Sequence, residues 1–252
     1  MNYNRPIVLS IASFDPTGGA GVLADVKTCE QLRCLGMGVL TANTNQTEAD
    51  FRSVDWMTKE TLIAQLEPLL QTYALAAVKI GIVENLDTLQ ELVAALRTSF
   101  PAVPIVWDPV LSASSGFELH ASWDETSLQA LLETIDLVTP NVQEIRRMTG
   151  IEDEIDAAFH LGKRTNVLLK GGHSTERLGV DILFEGRISL ELPATAGPEN
   201  YAPKHGSGCI LSTAIACRLA SGDNLQDACR NAKHYIEKRL SSNENLLAYH
   251  VE

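Results

Sequence analysis

No run of apolar residues in this 252-residue chain approaches the ~18 needed to cross a membrane. Ile7–Phe14 imitates the apolar centre of a secretory signal, but Asp15-Pro16 follows it in place of small cleavage-site residues. The five cysteines, at 29, 34, 209, 217 and 229, contain no C-x-x-C pair and no spacing that suits zinc. Free thiols in a reducing cytoplasm are the simplest account, so a soluble, cytoplasmic protein is expected. Positive charge is scarce: 20 Lys and Arg stand against 32 Asp and Glu, a net charge of -12. Such a surface argues against nonspecific binding to nucleic acid or anionic membrane. An anionic substrate must then be held by local devices: helix N-termini, a lysine or a metal ion. The absence of G-x-x-x-x-G-K-[ST] makes a P-loop kinase or GTPase a poor reading. There is also no low-complexity tract, long like-charge block or internal repeat, so one domain over residues 1–252 is expected.

What is present is alternation. Short apolar segments at Ile7–Ala12, Met37–Ala42, Ala76–Ile80, Ile105–Trp107, Leu137–Thr139 and Val167–Leu169 read as strands. Helical spacing falls between them: residues 19–35 ending at Gly36, Thr58 to Tyr73 with a kink at Pro68, Leu86–Thr98 and Asp124–Thr134. Two more helices cover 141–149 and 153–162, the second opening in the acidic run Glu152–Asp156 that suits a helix start. Val180–Phe184 and Ile188–Leu192 read as an antiparallel hairpin, and helices over Ser207–Ala220 and Leu225–Leu240 finish the chain. Apolar strands alternating with helices predict an α/β fold with a mostly parallel sheet covered on both faces. Ligands in such folds bind beyond the carboxyl ends of the strands, where Asp15, Gly81, Asp108, Asn141 and Lys170 gather.

Two glycine loops compete for attention. Gly19-Ala20-Gly21-Val22-Leu23-Ala24 satisfies the loose G-x-G-x-x-A form of a dinucleotide fingerprint. Phe14-Asp15-Pro16-Thr17 intervenes between it and the strand, however, and the second strand runs into Thr41-Ala42-Asn43-Thr44 without the acidic residue that takes a ribose hydroxyl. The other loop is His205-Gly206-Ser207-Gly208-Cys209, where the amides of 206–209 have the spacing to meet an anion at a helix start. Asp108, Asn141 and Glu144 each have a plain structural reading, as a turn cap, a helix cap and a capping-box partner, whereas Lys170 ends a buried strand, where a lysine is rarely left unless it meets an anion. Together on one rim, a carboxylate pair, a lysine and a glycine anion loop predict a phosphoryl-transfer site.

The motifs Asp15-Pro-Thr-Gly-Gly-Ala-Gly21, Val78-Lys-Ile-Gly81, Val106-Trp-Asp-Pro-Val110, Pro140-Asn-x-x-Glu144, Lys170-Gly-Gly-His173 and Gly206-Ser-Gly-Cys209 occur in order between residues 7 and about 218. In this combination the chain resembles the hydroxymethylpyrimidine/phosphomethylpyrimidine kinases of thiamine biosynthesis, in the ribokinase-like superfamily. The resemblance implies a three-layer α/β/α sandwich, ATP and Mg²⁺ as cofactors, and an aminopyrimidine alcohol phosphorylated in two steps. It also implies a homodimer, as is common in such kinases. Carried over, Cys209 is the general base, with Gly206, Ser207, Gly208 and Lys170 stabilising the transferred group. Lys170, Gly206, Gly208 and Asn141 contact the nucleotide, Asp108 and Glu144 organise Mg²⁺, and Asp25, Gln46, Gly21 and Ile82 hold the pyrimidine. A helix N-terminus is expected to lower the pKa of the thiol. Ser207 replaces the family's usual threonine, Asn43–Asp50 departs from its pattern, and Ala113–Gly116 lacks its lysine. A pyridoxal kinase on the same scaffold is the alternative, and a ligand sensor without catalysis is the rival of a different class. His173 is given no role.

Overall fold

Ile7–Phe14 (β1) is apolar almost throughout because both its faces are covered, and its first seven residues are buried. The computed structural model describes residues 3–111, 124–173, 178–197 and 200–250; the departure noted at Ala113–Gly116 lies outside them. The chain continues as α1 (Gly21–Gln31), β2 (Leu35–Gln46), β3 (Phe51–Trp56), α2 (Lys59–Thr72), β4 (Leu75–Ile80), α3 (Leu86–Ser99) and β5 (Ile105–Trp107). Then follow α4 (Glu125–Leu132), β6 (Leu137–Val138), α5 (Val142–Thr149), α6 (Glu154–Leu161) and β7 (Asn166–Leu169). The 3₁₀ turn Gly171–His173, β8 (Asp181–Glu185), β9 (Ile188–Leu192), α7 (Ser207–Ala220) and α8 (Leu225–Leu240) complete it.

These strands form one sheet in the order β3-β2-β1-β4-β5-β6-β7-β8-β9. Pairing is parallel from β2 to β7, with antiparallel β3 at one edge and the β8–β9 hairpin at the other. Alternate strand residues feed two cores. Leu9, Ile11, Val78, Ile80 and Ile105 pack with α2 to α6, whereas Val8, Ala77, Val106 and Leu137 pack with α1, α7 and α8. The expected three-layer α/β/α sandwich is therefore the fold. The order reverses between β1 and β4, and at that switch point the Gly81 amide donates to the Ile11 carbonyl at 2.8 Å, with Asp15 following at the carboxyl end of β1.

Three local expectations are corrected. The strand expected to end at Ala42 runs on: β2 continues to Gln46 and pairs with β3 from Ala42↔Trp56 to Gln46↔Phe51 as a hairpin. Helix α1 starts at Gly21, and its left-handed terminator is Arg33 (φ 59°) rather than Gly36. Gly36 lies in β2 because a Cβ there would press on Cys29 Cβ at 3.0 Å and Val26 Cα at 3.2 Å. Pro68 sits inside α2 without ending it. Cys29, Cys217 and Cys229 are buried helical residues, and Cys34, also buried, lies in the turn between α1 and β2.

Candidate active site

Among the described residues, six of the eight α-helices begin with a side-chain cap: Thr58, Asn85, Asp124, Asn141, Asp153 and Asn224 each accept from an amide of the first turn. Each such cap contributes about 1 kcal/mol. Helices α1 and α7 have Ala20 and Gly206 at that position and no side-chain cap. Both open onto one cavity of about 500 Å³ along the carboxyl ends of the strands. Uncapped first-turn amides facing a cavity can donate to an anion.

Backbone geometry brings the two helix starts together. Gly206 adopts φ 73°, and a Cβ on it would stand 2.0 Å from the Gly19 carbonyl oxygen. Gly21 adopts φ 60°, and a Cβ there would stand 2.1 Å from the Ser13 carbonyl oxygen. Asp15, fully buried, ties the same loops: its carboxylate accepts from the Thr17 and Ala20 amides and pairs with His205 Nε2 at 2.8 Å. Burial alone would raise its pKa, but the bonds from His205, Thr17 and Ala20 leave it lowered. Gly206→Ala is therefore expected to cost about 2–3 kcal/mol from left-handed strain and overlap with backbone, measured by urea unfolding.

On the opposite wall, Lys170 Nζ meets Asp108 Oδ1 at 2.7 Å and Glu144 Oε2 at 3.6 Å. Asp108 also accepts from Thr139 Oγ1 at 3.1 Å. Burial pulls the Lys170 pKa down, but Asp108 and Glu144 more than offset it and hold the ammonium charged. Burial pushes the Glu144 carboxyl up, with Lys170 opposing and Asp108 reinforcing. The first turn of α7 faces this group, since a Cβ on Gly208 would lie 3.3 Å from both Asp108 Oδ2 and Lys170 Nζ. The capping-box reading of Asn141 and Glu144 also holds: Asn141 Oδ1 accepts from the Glu144 amide at 2.9 Å and Glu144 Oε2 from the Asn141 amide at 2.7 Å. That leaves Nδ2 of Asn141 to offer a ligand.

Of the residues singled out from sequence, Gly21, Gln46, Ile82, Asp108, Asn141, Glu144, Lys170, Gly206, Ser207, Gly208 and Cys209 all line this cavity. Gln46 is anchored by its Nε2 to Thr44 Oγ1 at 2.8 Å, and Phe51 stands opposite it on β3. Three expectations need correction. Asp25 does not line the cavity; it is fully buried, and Ser10, Lys79 and Thr213 occupy both its oxygens. The Ser207 amide turns to the Lys204 carbonyl at 3.4 Å, so the anion-facing set is smaller than the four amides of 206–209. The pKa of Cys209 is raised, not lowered: burial dominates, Lys79 and the Gly21 amide oppose it, and Asp25 and Asp108 add to it. The far end of the cavity went unread in the sequence. There Lys233 Nζ meets Asp181 Oδ2 at 2.9 Å, and Glu237 accepts from Thr195 Oγ1. A lysine on the apolar face of α8 was the available signal.

A sequence profile described as Phosphomethylpyrimidine kinase matches residues 15–252. The chain belongs to the phosphomethylpyrimidine kinase family. It is 35% identical to the hydroxymethylpyrimidine/phosphomethylpyrimidine kinase of Rhizobium meliloti, over 95% of this chain and 92% of that one. It is 33% identical to the thiamine biosynthesis multifunctional protein of Corynebacterium efficiens, over 94% of this chain but only 33% of the longer protein. Among solved structures, a Clostridium difficile phosphomethylpyrimidine kinase aligns with TM-score 0.77 and 31% identity, over 93% of this chain and 99% of that one. A Bacillus subtilis pyridoxal kinase in an ADP complex aligns with TM-score 0.82 and 25% identity, over 95% and 93%. The family is one of phosphotransferases, and the cavity gathers groups suited to that chemistry: a thiol, an uncapped helix start, a lysine and two carboxylates. Among the described residues no helix is long and apolar enough to cross a membrane.

Proposed function

We propose that the chain transfers the γ-phosphoryl group of ATP to the hydroxymethyl group of 4-amino-5-hydroxymethyl-2-methylpyrimidine, and then phosphorylates the monophosphate. One observation carries the reading: Cys209, the uncapped start of α7 and the Lys170–Asp108–Glu144 group share one cavity with Gln46. A primary alcohol does not ionise at neutral pH, so transfer needs a base at its oxygen and fixed positive charge at the phosphoryl group. Cys209 stands where it can take that proton. The Gly208 and Cys209 amides and Lys170 hold the charge.

Among the described residues no three His, Cys, Asp or Glu side chains cluster to cage a metal. Two carboxylates in the wall suit Mg²⁺ better than a cage does, because it keeps water and phosphate ligands alongside one or two carboxylates. Asp108 and Glu144 would hold it, and when bound it supplies charge neutralisation at the phosphates. Gln46 reads the ring: its amide offers one donor and one acceptor to an amino group beside a ring nitrogen. Gln46→Ala is expected to raise KM for the pyrimidine about tenfold, the worth of roughly one hydrogen bond, with KM for ATP unchanged. Initial rates with each substrate varied in turn check it.

The same reading includes one kinase domain over 1–252, a reducing compartment for the five free thiols, and a homodimer. β3, an edge strand with β2 as its neighbour, offers a pairing surface, and light scattering tests the dimer. The deciding experiment measures ATP consumption against a panel of pyrimidine and pyridoxal alcohols, with phosphate counted on the product. Two phosphates per pyrimidine is the expected result. Turnover with pyridoxal alone, or none at all, would reject it in favour of a pyridoxal kinase or a sensor.

A further inference from the structure

Four elements meet on the Asp25 carboxylate. Oδ2 accepts from Ser10 Oγ of β1 at 2.5 Å and from Lys79 Nζ of β4 at 2.8 Å. Oδ1 accepts from Thr213 Oγ1 of α7 at 2.7 Å. None of these side chains reaches solvent to any extent. An ion pair so far from water adds little to stability over well-packed apolar residues. The core between the sheet and α1, α7 and α8 is otherwise mostly alanine, cysteine and branched aliphatic residues, so stability does not explain the pair.

Its place does. Thr213 stands four residues after Cys209, so the two share one face of α7. The bond from Thr213 ties that face of α7 to Asp25 of α1, and Cys209 on the same face lines the cavity. Lys79 lies directly behind the cavity floor, because a Cβ on Gly81, which lines the cavity, would come 3.1 Å from its Nζ.

We propose that Asp25 and Lys79 are positioning residues for phosphoryl transfer: through Thr213 they aim the Cys209 sulfur, and they keep a permanent cation beneath it that no substrate displaces. The reaction named here rests on the function proposed above; the aiming of the thiol rests on the geometry alone. The charged groups bearing on Cys209 are Lys79 from β4, Asp25 from α1, Asp108 after β5 and Lys170 after β7. Lys79 opposes the rise that burial imposes on the thiol, while Asp25 and Asp108 add to it. Burial pulls the Lys79 pKa down, but Asp25, with Cys209 and Asp108 adding to it, more than offsets this, so the cation persists.

The test follows the alkylation of Cys209 by iodoacetamide against pH in the full chain, read by mass spectrometry, together with kcat and both KM values. The other four cysteines are buried and serve as internal blanks. Lys79→Met is expected to move the alkylation midpoint up by about one unit, a tenfold slower reaction at neutral pH. Thr213→Val is expected to lower kcat about tenfold with both KM values nearly unchanged, the cost of one lost hydrogen bond that aims the base. Thr213→Ser, which keeps the hydroxyl, restores kcat. An unchanged alkylation profile in folded Lys79→Met overturns the proposal. If that variant does not fold, unchanged kcat and alkylation in Thr213→Val overturn it instead. Failure of the wild type to turn over any pyrimidine would strike the proposed function, whereas the alkylation profile needs no substrate and still reports on the pair.

Discussion

Cys209→Ala is expected to lower kcat by about 10²–10⁴-fold while ATP binding is retained. The lost step is removal of the alcohol proton as the phosphoryl group moves; the amides, Lys170 and the carboxylates remain in place, so a residual rate persists. The pH dependence gives a sharper reading. A general base acts in its deprotonated form, and burial has raised the Cys209 pKa above the ordinary thiol value. At neutral pH most of the thiol is therefore protonated, and kcat/KM is expected to climb with pH along a limb that lies above the usual thiol range. The alanine variant loses this limb. Cys209→Asp moves it down by roughly 4.6 units, the gap between ordinary thiol and carboxylate pKa values. A wild-type profile flat through the alkaline range would remove the base assignment, as would an unchanged kcat in the alanine variant.

The sandwich was legible because parallel strands buried on both faces leave unbroken apolar runs. β1, β4 and β5 carry that signature, and the β8–β9 hairpin shows its turn at Glu185-Gly186-Arg187. The β2–β3 hairpin was not legible, since Asn43–Trp56 mixes polar and apolar residues and its register comes from pairing across the turn rather than from burial. Gly36 misled for a related reason: the position needs a small residue against Cys29 and Val26, a packing demand that resembles a helix stop in one dimension.

Site residues were readable where topology alone brings them together, at the carboxyl ends of adjacent strands. Asp108, Asn141 and Lys170 are of that kind. Asp25 was misplaced because its fate depends on Lys79, 54 residues away, and on Thr213, 188 away. The thiol pKa was misjudged by weighing the helix end and leaving out desolvation, which acts in the opposite direction and is larger here. Asp181 and Lys233 escaped notice because a lysine in a helix reads as solvated until its partner is known.

Lys170→Met should be the most disruptive exchange on the carboxylate wall, and its two effects separate by pH. Loss of the ammonium is expected to lower kcat/KM by about 10³, the scale of removing one donor to the transferred charge. It also strands Asp108, fully buried, and Glu144 without their cation, at a cost of about 3–5 kcal/mol. The Glu144 pKa is already raised by burial, and Lys170 is the main group holding it down. A carboxyl whose folded pKa exceeds its unfolded value binds more protons when folded, so its contribution is complete at low pH and falls as pH rises through the folded pKa. Without Lys170 that folded pKa moves higher, and the decline becomes deeper and extends further towards neutral pH. The variant should accordingly lose more melting temperature relative to wild type at about pH 8 than at about pH 5. Equal losses at both would mean that Glu144 does not depend on Lys170, and the catalytic defect would then have to be charged to the phosphate contact alone. A greater loss at the lower pH is excluded by the sign of the linkage, so that outcome would place the titrating group elsewhere.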